Sequence, residues 1–296
     1  MKIYLLVLGL SFTFLAQAQT EKSKIQTLED TLSVLSQIRL NAQEAEARFS
    51  ACHRMIPMLT KALQEPNSFD YKFDKLKSIS FQYPQDSSFR VITWQLYVDT
   101  SEYRYYGAIQ MNTEDLQLHP LIDRSFNVQY TERQLLSNKN WYGAVYYNLK
   151  SFKTPEGMKH LLFGYDGFSY YKRRKVIDVL SFQNGKPIFG APVFVNEERG
   201  RTKNRIVLEY AANSSVRCNY DEFKEAIIFD HLLRTTSEVG GGATSVPDGS
   251  FEGYKYVKRG GYWKHIDKMF NTIVNEAPRE HPVLDSKRNL FGKSKD

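Results

Sequence analysis

The sequence predicts a mainly β fold, an antiparallel meander preceded by an N-terminal helical segment. Three observations predict it. From Lys77 onward, apolar and aromatic residues alternate with polar ones at period two. Short polar links (QDSS, DTSE, QNGK, RGG) join most of these runs, a length that makes hairpins and not crossovers. Before Lys77, residues 20–65 contain no glycine and space their apolar residues by three and four.

In chain order, the first eighteen residues read as an export signal. MKIYLLVLGLSFTFLAQA has one Lys2, an uncharged apolar run and small residues at Ala16 and Ala18, the order that precedes signal cleavage. Its apolar stretch is shorter than a membrane span, and no later run reaches that length, so the mature chain is expected to lack a transmembrane segment.

Residues 19–66 form the expected helical segment. Leu28, Leu32, Leu35 and Ile38 make one stripe, expected to cover either the following sheet or a protein partner. The patch LNAQEAEAR is a solvent-facing middle or the turn of a helical pair, and Pro57 would kink the helix or start a new one.

Residues 78–267 form the β domain. Among its expected strands are 89–98, 103–111, 141–149, 160–167, 175–182, 204–212, 225–232, 249–257 and 260–267. The pattern suits a curled sheet, a barrel or an irregular propeller and does not choose among them. SEVGGGATSVPDGS (237–250) reads as a flexible insertion, and 275–296 as a loose, charged tail.

Composition narrows the partners. The 40 Lys and Arg against 33 Asp and Glu give a net charge of +7, spread along the chain, which makes no case for nucleic acid. Two cysteines, Cys52 and Cys218, permit one disulfide in an exported chain; the alternative is two separate buried thiols.

The strand block carries a resemblance. LLFGYDG (161–167), RRKVIDVLSFQNGKPIFGAPVF (173–194), RIVLEYAANSSVRCNYD (205–221), IIFDHL (227–232) and DGSFEGYKY (248–256), in that order, resemble a group of uncharacterised exported proteins common in Bacteroidota. The resemblance implies an extracytoplasmic place, in the periplasm or on the surface of a two-membrane bacterium. It implies no activity.

Candidate sites are few. Asp178 and Asp230 lie inside apolar strands, where a carboxylate needs a partner. Pairing with arginine or backbone N–H is the structural reading, and an acid–base pair with His231 nearby is the catalytic one. Tyr103, Tyr105, Tyr142 and Tyr146 share one strand face, as Tyr106 and Tyr147 share another. Exposed, the first set would bind glycan or peptide; buried, it is core. Glycine beside these tyrosines would let a neighbouring ring lie across the backbone. There is no HExxH, GxSxG, phosphate loop or zinc-type Cys/His spacing, so no metal and no cofactor are expected. The function expected is an exported binding or scaffold protein with an envelope protein partner, associated with the outer membrane in one version. The alternative is a hydrolase of envelope or extracellular polymers.

Overall fold

The computed structural model describes residues 23–236 and 242–269. The expected leader, the tail 275–296 and residues 237–241 of the glycine-rich stretch lie outside the described residues.

The helical segment is a pair. Helix α1 (Lys24–Asn41) opens on a capping box: Ser23 Oγ accepts from Gln26 N, and Gln26 Oε1 accepts from Ser23 N. Helix α2 (Ala45–Leu63) follows directly, so LNAQEAEAR contains the turn, and Pro57 is accommodated inside α2. Leu32 and Leu35 of α1 join Cys52, Met55 and Leu59 of α2 in one core, with Leu28 packed against it. Arg48, at the start of α2, donates to the carbonyls of Ala42 and Gln43 and to those of Tyr97 and Val98 across the interface. One buried guanidinium therefore fastens the helical turn to the sheet beneath it.

The strands follow as β1 (Ser80–Gln82), β2 (Phe89–Asp99), β3 (Glu102–Met111), β4 (Leu118–Ile122), β5 (Leu136–Ser137), β6 (Val145–Thr154), β7 (Gly157–Asp166) and β8 (Lys172–Gln183). Then come β9 (Lys186–Phe189), β10 (Phe194–Asn196), β11 (Arg201–Lys203), β12 (Ile206–Ala211), β13 (Cys218–Asp221), β14 (Ala226–Thr236), β15 (Ala243–Val257) and β16 (Tyr262–Ile266). They build three open sheets and no closed barrel. The first is ordered β1-β2-β3-β4, the second β5-β9-β8-β7-β6 with β12 also on β8, and the third β11-β10-β16-β15-β14-β13. Pairing between strands is antiparallel except for β10 with β16.

Period-two alternation decides how these sheets stack. On β2, Ile92, Trp94 and Leu96 face the helices, while Phe89 and Val91 face the second sheet. On β8, Val176 and Leu180 point back toward the first sheet, and Ile177 and Val179 point on to the third. The result is four layers, helix pair and three sheets, separated by three apolar cores. The middle sheet is covered on both faces, which explains the nearly unbroken apolar run VIDVL.

Two expectations are corrected, and one open alternative is decided. Residues from Ala243 onward are not a loop: they open β15, which pairs Thr244 with Thr235 of β14. The strand expected over 141–149 begins only at Val145. Cys52 lies in the helix–sheet core and Cys218 in the core between the second and third sheets, so both are free buried thiols and the permitted disulfide is not formed. Among the described residues, no helix is long and apolar enough to cross a membrane.

Candidate functional site

The tyrosines divide between faces as the alternation predicts, but both faces are covered. Tyr105, Tyr142 and Tyr146 are buried between the first two sheets, and Tyr103 packs beside them half-buried. Tyr106 stacks on Trp94 in the helix–sheet core, and Tyr147 packs against the core of the third sheet. An exposed aromatic platform is thus overturned for these residues, because a layer lies on each side of their strands.

The hydroxyl groups of the buried Tyr105, Tyr142 and Tyr146 are satisfied internally. Tyr105 and Tyr142 each donate to one oxygen of Asp166 at 2.8 Å, and Phe168 N donates to the same carboxylate at 2.8 Å. Arg174 donates to the Tyr142 hydroxyl and pairs with Glu209. Burial pushes the Asp166 carboxyl above its usual range even though these donors oppose the shift. The Tyr105 and Tyr142 hydroxyls are pushed up chiefly by burial, with the Asp166 charge adding to it. At Gly143, a Cβ would come within 2.5 Å of the Tyr105 ring, so glycine there lets the ring lie across the backbone.

The in-strand aspartates do not meet. Asp178 is on β8 of the middle sheet, with its Oδ2 2.7 Å from Arg205 Nε and its Oδ1 accepting from Val179 N. Asp230 is on β14 of the third sheet, where Oδ2 accepts from Arg217 N at 2.6 Å. Each has the structural partner its burial demands. As an acid–base pair in an open cleft, the two are overturned. His231 pairs with Asp248 and Glu252 and not with Asp230.

What the third sheet does bring together is a histidine–carboxylate cluster. Its inner face runs through Phe229, Tyr254 and Trp263, all core residues, and ends in polar groups. Tyr254 stands opposite His265 and Phe229 opposite Glu252, which aligns these side chains on one face. The register shift between Asp230 and Leu232 sets His231 in an irregularity of β14. Glu252 lies between two imidazoles: Oε2 is 2.8 Å from His265 Nε2, and Oε1 is 3.4 Å from His231 Nε2. The outer nitrogens also face acids. His231 Nδ1 is 2.9 Å from Asp248 Oδ2, and His265 Nδ1 is 3.1 Å from Asp267 Oδ1 and 3.0 Å from Asn196 Nδ2. Hydrogen bonds from Ser250 Oγ and N, with His231 adding to them, hold the Asp248 carboxyl down at about 2.

A cavity of about 160 Å³ adjoins this cluster, with Glu252, His265 and Asn196 on one side and Arg199, Arg201 and Lys203 among its other walls. Phe194, Phe229 and Ile206 supply an apolar floor. The lining is mainly polar and charged, and the cavity is smaller than the roughly 300–1,000 Å³ usual for small-molecule pockets.

The sequence pattern put His231 only beside Asp178 and Asp230 and did not assemble this cluster. Its members come from three strands and the residue after one of them, so no spacing motif connects them. The one available signal was His265 with Asp267 at period two, opposite the Glu252 strand. No protein-family model, no curated protein and no solved structure matches this chain.

Proposed function

We propose that the chain is an exported, non-enzymatic binding or scaffold protein, an accessory subunit of a bacterial cell-envelope or secretion assembly that docks a protein partner through the outer side of α1. The observation that carries this reading is an apolar surface left on that helix. Leu32 and Leu35 are spent inside, whereas Val34, Ile38 and Leu40 are 61%, 39% and 49% exposed. Val34 and Ile38 are four apart and neighbours on the helix surface. Of the expected docking stripe, Ile38 alone keeps a large exposed area, and Leu28, Leu32 and Leu35 serve the sheet. The export-type leader supports the envelope placement. The structural partners of Asp178 and Asp230 remove the motive for the hydrolase alternative.

A photo-crosslinking residue placed at Val34 in the producing cells tests it, with the same residue at the exposed Lys186 as control. A discrete protein adduct from Val34 and none from Lys186 is expected. Equal yields from both positions, or recovery only as a free monomer at low and physiological salt, overturns the reading.

A further inference from the structure

We propose that Glu252, His265 and Asp267, with His231 reaching in from the neighbouring strand, form a binding site for one divalent transition-metal ion of the zinc type.

The convergence is geometric. One ligand atom each from Glu252, His265 and Asp267 lie within 4.8 Å of one another. Donor atoms around a tetrahedral ion with bonds of about 2.1 Å stand roughly 3.4 Å apart, so closure asks for movements of about 1 Å. Side-chain rotation supplies that much at Asp267, which is 48% exposed, without disturbing the strands. His265 is the anchor, with its side chain only 10% exposed between Tyr254 and Asn196.

A second observation is the placing of the rings. Glu252 stands between the two imidazoles, with Oε2 2.8 Å from His265 Nε2 and Oε1 3.4 Å from His231 Nε2. An ion there takes the Nε2 atom of each ring together with Glu252. Behind His231, Nδ1 stands 2.9 Å from Asp248 Oδ2, the carboxylate–histidine–metal arrangement that orients ligating imidazoles. Asp267, 3.1 Å from His265 Nδ1, reaches the ion by side-chain rotation, and Asn196 stays beside that nitrogen. Mixed imidazole and carboxylate ligands favour zinc-like ions over magnesium or calcium, which prefer all-oxygen sets. Two of the ligands, Glu252 and His265, also line the adjoining cavity.

Metal titration of the purified, chelator-stripped full chain decides it, with zinc as the probe in competition with a chromophoric chelator. One zinc per chain is expected, with magnesium and calcium at least about 100-fold weaker. His265→Ala and Glu252→Gln should each weaken zinc by about 100-fold, and His231→Ala or Asp248→Asn by about 10-fold. Far-UV circular dichroism accompanies every variant. Should His265→Ala unfold, the exposed Asp267→Asn, expected to lose about 10-fold, carries the test. No stoichiometric zinc, calcium binding as tight as zinc, or zinc affinity unchanged in the folded variants overturns the proposal.

Discussion

Arg205 and Asp178 face each other across 2.7 Å with neither side chain exposed to solvent. The contact is an ion pair without a well-aligned hydrogen bond: Nη1 donates to the Thr131 carbonyl, whereas Nε and Nη2 have no hydrogen-bond acceptor. Breaking such a pair from one side strands a charge in a medium that cannot solvate it. Asp178→Asn is therefore expected to cost about 3–5 kcal/mol in urea unfolding, whereas Asp178→Leu combined with Arg205→Met should recover most of that loss. A mild loss in the single variant would show that water or another group reaches Arg205.

The Asp166 carboxylate depends on two tyrosine hydroxyls at 2.8 Å. Tyr105→Phe keeps the ring that packs on Gly143 but removes one donor, and it also removes the acceptor of Gly167 N. About 1–3 kcal/mol of stability should go, read as a lower midpoint in thermal denaturation. Tyr103→Phe is the comparison, because Tyr103 is half-buried at the edge of the same core; little change is expected there.

Much of the architecture was legible because period-two and period-three-to-four patterns report local geometry directly. Ile92 and Trp94 against Val91, and Tyr105 against Tyr106, point to opposite faces as their parity requires. The number of layers was not legible. Nothing in YRYYGAIQ says whether the second face meets water or another sheet, and that fact alone turned an expected tyrosine platform into core. Arg39, Arg48 and Arg90 were hidden for a related reason. Counted only in the net charge, they are buried donors to carbonyls and other groups far along the chain, whereas the arginine partner of Asp178 was among the expected ones. The histidine–carboxylate cluster depends on strand register and on one irregularity in β14, neither of which leaves a local signature.

His160 supplies a pH dependence. Its ring is buried edge-on to Phe89, with Nδ1 2.8 Å from Ser151 Oγ. Burial lowers its pKa from 6.5 to about 4, against a weak opposing pull from Asp86. Between those values the unfolded chain binds a proton that the folded chain does not. Stability from this group is full above pH 6.5 and falls as pH drops toward 4, by roughly 3 kcal/mol. Urea midpoints at pH 7 and 4.5 should diverge in the parent protein and converge in His160→Gln. An unchanged acid slope in that variant would assign the loss to other groups.

The thiols should be unreactive until the chain unfolds. Burial pushes Cys218 up to about 12 and raises Cys52 as well, and the thiolate is the reactive form. A thiol reagent at pH 8 should label neither residue in the native protein and both in urea. The intact mass should be the same with and without reductant. A gain of two hydrogens on reduction would establish the disulfide that separate cores argue against.

The two sides of α1 give a paired test of fold and docking. Leu32 is fully buried against α2 and the first sheet, and Ile38 is 39% exposed on the outer side. Leu32→Asp deletes core contacts and places a charge where none can be solvated, a loss of several kcal/mol that should detach the helix layer or unfold the chain. Ile38→Asp puts the same charge in water and should shift stability by less than about 0.5 kcal/mol. If the outer side of α1 receives a partner, Ile38→Asp should abolish the adduct formed through Val34 while leaving the circular dichroism spectrum and the melting midpoint unchanged. A normal adduct yield in folded Ile38→Asp would place the docking surface elsewhere. A tolerated Leu32→Asp would mean that the helix pair is not held by the first core.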